Sequence, residues 1–288
     1  MSVSGEMRPA TEFRRDYMKI SLIQMDVKRG QPERNYEKAA VLVREASSFD
    51  PDVILLPEMW NTGYELGMIE ELADPEGKRT EALMSDLSSE LKVNIVAGSV
   101  ACMQGNDVFN TLMAFDRKGK KIAEYSKIHL FRLMQEEKYL RPGNVPCTFD
   151  LEDVRFGVII CYDLRFPELS RLLALRGAQV LLVPAQWPYP RLSHWMKLLD
   201  ARAIENQFFV AGCNRVGQDP DKTTFFGYSR VVDPWGNVIG EVSDEKEGIL
   251  TVDMDLREVK TARDTLPVFL DRKPSIYYTD RPDTSDQC

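Results

Sequence analysis

Short apolar runs with strand character alternate along the chain with longer stretches in which apolar residues recur at helical spacing. Lys19-Ile20-Ser21-Leu22-Ile23-Gln24-Met25 reads as a first strand, and Asn35 to Ser48 places Ala39, Ala40, Leu42, Val43 and Ala46 on one helical side. Val53-Ile54-Leu55-Leu56 is a continuous apolar strand that stops at Pro57-Glu58. A helix is expected over about Glu81 to Leu91, then a strand from Val93 to Val100. Phe109 to Phe115 and Ile122 to Ser126 flank Asp116-Arg117-Lys118-Gly119-Lys120, which supplies a hairpin turn. Arg155 to Cys161 predicts another strand, followed by a helix from Glu168 to Arg176 with Pro167 suited to its first turn and Gly177 to its stop. Val180 to Val183 is a strand, Ser193 to Asn206 a helix, and Phe208 to Cys213 a strand. Late strands at Tyr228 to Val232 and Gly248 to Asp253 bracket the turn Asp233-Pro234-Trp235-Gly236-Asn237.

Strands alternating with helices, mixed with hairpins, predict an α/β layered architecture with helices outside and sheets packed inside. No linker, low-complexity tract or regular repeat interrupts residues 18–261, which are expected to form one domain. Residues 1–17 carry mixed charge and little periodicity and are expected to be a mobile extension. Residues 262–288, rich in Pro, Asp and Thr, are expected to be an arm that wanders or wraps a neighbouring subunit.

Composition narrows the function classes. The 288 residues are 43% hydrophobic, enough for a large core, and the net charge of −8 argues against a nucleic-acid binder, whose footprint is a basic patch. The one basic cluster, Arg117-Lys118-Gly119-Lys120-Lys121, reads as a solvated hairpin tip. The five cysteines (Cys102, Cys147, Cys161, Cys213, Cys288) form no Cys-x-x-Cys pair. With no signal peptide or membrane-length apolar run, this predicts a cytoplasmic protein with no membrane partner. The two histidines, His129 and His194, lie far apart, so neither a metal nor any other cofactor is expected.

Candidate chemistry centres on Cys161. A buried strand that delivers a cysteine into a sharp turn before a helix is the geometry of a nucleophile elbow. An isolated cysteine at a strand end is more often an inert core residue. Glu58 and Lys127 stand at two other strand ends, and singly they would read as a helix-cap carboxylate and a solvated lysine. Active sites of open α/β sheets gather at the carboxyl ends of strands, where the three could meet. A free thiol with a pKa near roughly 8.5 is mostly protonated at neutral pH. A carboxylate within reach can take its proton as it attacks a carbonyl, and a cation with a backbone N–H can hold the resulting oxyanion. Glu58, Lys127 and the amide of Tyr162 suit those three parts.

Leu56-Pro57-Glu58, Tyr125-Ser126-Lys127-Ile128-His129-Leu130 and Cys161-Tyr162-Asp163-Leu164-Arg165-Phe166-Pro167-Glu168 together resemble the nitrilase superfamily of carbon–nitrogen hydrolases, from about Lys19 to Asp253. The resemblance implies a four-layer α-β-β-α sandwich, a Glu58-Lys127-Cys161 triad, a thioester intermediate and a homodimer built by stacking sheets. It also implies a second glutamate within Glu136-Glu137-Lys138-Tyr139-Leu140-Arg141-Pro142-Gly143. Spacing matches Glu136, to orient Lys127 and the substrate amide, and Glu137 is its rival. Gln186-Trp187-Pro188, Ser193-His194-Trp195 and Val210 to Gly217 are similar to the bacterial omega-amidase branch, which acts on 2-oxoglutaramate and related α-keto acid amides. Cys161-Tyr162-Asp163 departs from the Cys-Trp-Glu of aliphatic nitrilases and favours amides over nitriles.

An acid-bearing amide needs a cationic anchor, preferably a guanidinium. Arg165 and Arg132 are the candidates, and Trp187 is expected to wall the pocket. His129 and His194 are expected to be supporting residues. Two alternatives stay open: an N-carbamoyl amino-acid amidohydrolase of the same superfamily, and a non-catalytic redox or ligand-binding protein that uses Cys161 as a sensor.

Overall fold

The computed structural model describes residues 16–242 and 246–277. The expected mobile extension therefore lies outside the described residues except for Asp16 and Tyr17, and Tyr17 already opens the first strand, Tyr17–Gln24. That strand sits beside the parallel strands Val53–Leu55 and Asn94–Gln104, and the sheet continues through the antiparallel Asp107–Phe115 and Lys121–Ser126. A second sheet runs Val238–Glu241, Arg230–Val232, Phe209–Asn214, Val180–Ala185, Val154–Val158, Cys147–Leu151. Its middle three strands are also parallel and its outer ones antiparallel.

Strand alternation decides which faces meet. Met18, Ile20 and Leu22 point one way and join Val53, Leu55 and Leu112 against Phe156, Val158, Leu182 and Ala211 of the second sheet in one buried cluster. Ile23, Ile54, Ile95 and Phe115 point the other way and pack on Tyr36, Ala39 and Val43 of the helix Pro32–Ser47 and on Met84 and Leu87 of the helix Lys78–Leu91. The outer face of the second sheet is covered by the helices Pro167–Leu175 and Leu192–Asn206 through Leu169, Leu173, Trp195 and Leu199. The layers are α-β-β-α, as the sequence predicts. Among the described residues, no helix is long and apolar enough to cross a membrane.

Two late elements differ from the sequence reading. The turn Asp233–Asn237, held by Asp233 Oδ1 accepting from the amides of Trp235 and Asn237, closes onto the strand Val238–Glu241. That strand is not legible because Val238 and Ile239 are both exposed and no alternation marks it. The strand Gly248–Asp255 instead crosses to the first sheet and pairs with Tyr17–Gln24 along its full length. The expected start of the arm at residue 262 falls inside the helix Arg257–Thr265, whose Val259 and Ala262 are buried. Gln207 Nε2 donates to the carbonyls of Ala262 and Leu266 (2.9 and 2.8 Å), which pins the end of this helix. The arm beyond residue 277 lies outside the described residues.

One bulge matters for the site. The register between Asn94–Gln104 and Asp107–Phe115 shifts between Val96 and Ser99, and Gly98 adopts φ +58°. A Cβ on Gly98 would lie 2.0 Å from the carbonyl oxygen of Pro57. The close approach lets Ser99 N donate to Pro57 O (3.1 Å), Met59 N to Ser99 Oγ (3.0 Å) and Trp60 N to Ser99 O (3.1 Å). The loop that carries Glu58 is thus stitched to the sheet on both sides. Gly98→Ala is expected to destabilise the protein by roughly 3 kcal/mol or more, read as a lower urea midpoint. An unchanged midpoint would show that the bulge can relax.

Candidate active site

The chain ends of both sheets converge on one buried cluster. Glu58 follows the strand Val53–Leu55, Lys127 follows Lys121–Ser126, Cys161 follows Val154–Val158, and Gln186 follows Val180–Ala185. Glu136 comes from a one-turn helix, Glu136–Tyr139, on the connection between the two sheets. Glu58, Lys127 and Glu136 are completely buried.

Lys127 Nζ lies between the two carboxylates, 2.9 Å from Glu58 Oε1 and 2.8 Å from Glu136 Oε1. Glu58 Oε1 also accepts from Asn110 Nδ2 (2.8 Å), and Glu58 Oε2 accepts from the amide of Gln186 (2.8 Å). Glu136 Oε2 accepts from the amide of Phe131 (2.7 Å). The Tyr64 hydroxyl stands 2.7 Å from Glu58 Oε1 and 2.5 Å from Glu136 Oε1. Glu137, by contrast, is exposed. Burial works against the Lys127 ammonium, but the attraction of Glu136 and Glu58 outweighs it and its pKa is raised. Burial likewise pushes the Glu136 carboxyl up, against the pull of Lys127.

Cys161 opens a short 3₁₀ turn, Cys161–Arg165, rather than ending a strand, and has φ +45°. A non-glycine residue in this region is strained by about 1–3 kcal/mol and needs its surroundings to hold it there. Asp163 does so. Its Oδ2 accepts from the amide of Ile160 (2.9 Å) and the hydroxyl of Tyr125 (2.7 Å), and its Oδ1 accepts from the amide of His129 (2.9 Å) and lies 2.8 Å from His129 Nδ1. One carboxylate therefore ties the elbow of Cys161 to both sides of Lys127. The His129 ring stacks on Phe166 with centroids 3.6 Å apart. Burial and then the charge of Glu58 raise the Cys161 thiol well above its ordinary pKa, with Lys127 opposing. The thiol is held protonated beside a base.

A second brace comes from Arg215, fully buried over the Phe225 ring. It donates to Asp219 Oδ1 (3.0 Å) and Gln186 Oε1 (3.1 Å), while Gln186 Nε2 donates to the carbonyls of Glu58 (2.7 Å) and Met59 (3.2 Å).

The thiol faces a cavity lined by Phe131, Tyr162, Arg165, Gln186, Trp187 and Arg191. Its volume, ≈ 10 Å³, suits about one water, so a larger molecule must displace side chains to enter. Arg165 lies over the Trp187 ring (4.7 Å) and within 3.3 Å of His194 Nδ1. Arg191 lies over Phe131 (5.5 Å). No carboxylate among the described residues pairs with either guanidinium, and burial lowers the pKa of Arg165, helped by the charge of Arg191. Arg132, the other candidate anchor, is exposed and does not line this cavity: the one-turn helix Arg132–Met134 carries it away, whereas Arg191 lines it beside Arg165. Among the described residues, no group of three His, Cys, Asp or Glu side chains is placed to hold a metal.

Tyr64, Asn110, Gln186 and Arg191 are the site residues that sequence reasoning missed. Gln186 had a usable signal, since it ends an apolar strand as Glu58 does. Tyr64 had none, because its partner Glu136 is 72 positions away.

Residues 19–264 match the family model described as carbon–nitrogen hydrolase. The chain is 45% identical to 2-oxoglutaramate amidase of Bacillus subtilis over 258 residues, covering 90% of this chain and 98% of that protein. It is 32% identical to human omega-amidase NIT2 over 267 residues, covering 90% and 96%. The solved structure of Saccharomyces cerevisiae Nit3, a member of branch 10 of the nitrilase superfamily, superposes with a TM-score of 0.83 at 28% identity, covering 92% of this chain and 98% of Nit3.

Two outcomes follow from the charges. Alkylation of Cys161 by iodoacetamide is expected to be slow at neutral pH and to accelerate only above the ordinary thiol range of roughly 8.5. A rate that levels off below that value, followed by mass spectrometry, would contradict a protonated resting thiol. Lys127→Met is expected to cost about 3–5 kcal/mol at neutral pH, because the buried Glu58 and Glu136 carboxyl groups lose their cation. A carboxyl whose folded pKa is raised, as that of Glu136 is, stabilises the fold below its unfolded pKa and loses that contribution as pH rises through the folded one. The deficit, measured by urea unfolding, should therefore shrink as pH falls toward about 4.

Proposed function

The chain belongs to the carbon–nitrogen hydrolase family, and from that premise we propose that it hydrolyses the terminal amide of 2-oxoglutaramate and related small α-keto acid amides through a thioester on Cys161. The carrying observation is the pair of guanidiniums, Arg165 and Arg191, that line the cavity of the thiol without a carboxylate partner. A substrate with a carboxylate and a 2-oxo group at one end and an amide at the other would satisfy both cations while placing its amide carbon at Sγ. Trp187 walls the cavity.

In the proposed sequence, Glu58 takes the thiol proton as sulfur attacks the amide carbon. Lys127 and the backbone N–H of Tyr162, in the first turn of the short helix where amides have no intrahelical acceptor, hold the oxyanion. Glu136 orients Lys127 and the amide. Glu58 then passes its proton to the leaving nitrogen, and water, deprotonated by Glu58, attacks the thioester. No cofactor enters this sequence. Free Cys102, Cys147, Cys161 and Cys213 suit a cytoplasmic setting. Exposed Leu172, Leu175 and Ile204 on the helices Pro167–Leu175 and Leu192–Asn206, with Leu270 and Ile276 beyond, offer an apolar surface for a homodimer.

The test is ammonia release from 2-oxoglutaramate. Cys161→Ala and Glu58→Gln should abolish it with the fold intact by circular dichroism, whereas retained turnover in either would remove that residue from its role. Arg191→Ala should raise KM about tenfold or more, the scale of one lost charge-assisted hydrogen bond. Faster turnover of N-carbamoyl-β-alanine, with carbon dioxide released beside ammonia, would replace the substrate assignment.

A further inference from the structure

Tyr64 is buried, and its single hydroxyl makes two short contacts with carboxylate oxygens, 2.7 Å to Glu58 Oε1 and 2.5 Å to Glu136 Oε1. Oxygen atoms at these separations need a proton between them. Two such contacts need two protons, and the hydroxyl brings one. The other must sit on a glutamate. Tyr64 aside, Glu58 accepts from Lys127, Asn110 and the Gln186 amide, whereas Glu136 accepts from Lys127 and the Phe131 amide. Glu136 is the less supported anion. Charge leads to the same place: Glu58, Glu136 and Lys127 would leave one uncompensated negative charge out of water, and a proton on Glu136 makes the cluster neutral.

We propose that Tyr64 is a positioning residue that passes a proton between the two glutamates: Glu136, as a carboxylic acid, donates to the Tyr64 oxygen, and the Tyr64 hydroxyl donates to Glu58. This deepens the thiol chemistry proposed above and rests on it. Burial of Glu136, which favours its neutral form, is consistent with the arrangement.

The bridge gives acylation a second proton. The thiol proton reaches the amide nitrogen through Glu58 as the S–C bond forms and the C–N bond breaks. The Glu136 O–H then breaks while Tyr64 takes its proton and gives its own to Glu58, which delivers it to the leaving group. The nitrogen departs as ammonium, balanced by the newly ionised Glu136. In deacylation, water supplies the oxygen of the product carboxylate and two protons, one restoring the thiol and one restoring Glu136.

Infrared spectra of the unliganded enzyme, with and without carboxyl-¹³C glutamate, test this without any substrate, so a wrong acyl assignment would leave the result standing. The expected spectrum at neutral pH contains the C=O stretch of a protonated glutamic acid, which is lost in Glu136→Gln and shifts in Tyr64→Phe. On whichever amide the enzyme turns over fastest, Tyr64→Phe should lower kcat on the order of 10²-fold with little change in KM. Wild-type kcat should fall on the alkaline side at the pH where the infrared band disappears. A wild-type spectrum with every glutamate ionised at neutral pH, or wild-type kcat in Tyr64→Phe, overturns the proposal. The wild-type spectrum decides even if a variant does not fold.

Discussion

An ammonium held between the carboxyl groups of two glutamates, away from water, is the constraint around which this molecule is arranged. Burying any of these ions costs several kcal/mol, and their mutual attraction recovers it only when distances are short and the remaining lone pairs are filled. Lys127 meets both glutamates within 2.9 Å, and every carboxylate oxygen of the pair has a donor. The groups that fill those oxygens come from distant segments: Asn110 from the first sheet, Gln186 from the second, Phe131 from the connection. Three braces fix them: the bulge at Gly98 under the Glu58 loop, the Asp163 carboxylate between Lys127 and Cys161, and Arg215 behind Gln186. Loosening any one would leave a buried charge short of a partner.

The cavity side of the site shows the opposite economy. Arg165 and Arg191 have aromatic faces but, among the described residues, no carboxylate, and their charges repel in a half-buried place. Folding gains little from such a pair, and proteins keep groups of this kind where activity requires them. The tightness of the cavity fits the same view, since the arginines and Phe131 fill space that an acid-bearing molecule would take over.

Much of this was legible in the sequence because strand ends are legible. Glu58 and Cys161 each follow an apolar run at the end of a parallel strand, and Lys127 follows the antiparallel strand Lys121–Ser126, which runs in the direction of Asn94–Gln104 and so ends at the same edge. Helices outside packed sheets were readable from the alternating helical and strand periods, while the four-layer order came from the family resemblance. Legibility ended where contacts become long-range or exposed. Tyr64 and Arg191 sit in stretches with no period of their own, and Arg132 reads as a candidate anchor on a par with Arg165, whereas the turn Arg132–Met134 carries it away from the cavity. The strand Gly248–Asp255 reads correctly as a strand, but nothing in its own residues says that its partner is Tyr17–Gln24 at the far end of the chain.

That last pairing has a consequence for the chain as a whole. Glu58, Lys127 and Glu136 all precede the crossing into the second sheet at Cys147, and Cys161 follows it, yet the closing strand Gly248–Asp255 returns to complete the sheet that began the chain. Cut at residues 143–146, the polypeptide would yield two fragments, one with Glu58, Lys127 and Glu136 and a missing edge strand, the other with Cys161 and that strand as a protruding tab. Each fragment lacks what the other holds, so the fold is built like a two-part latch whose chemistry exists only in the joined state.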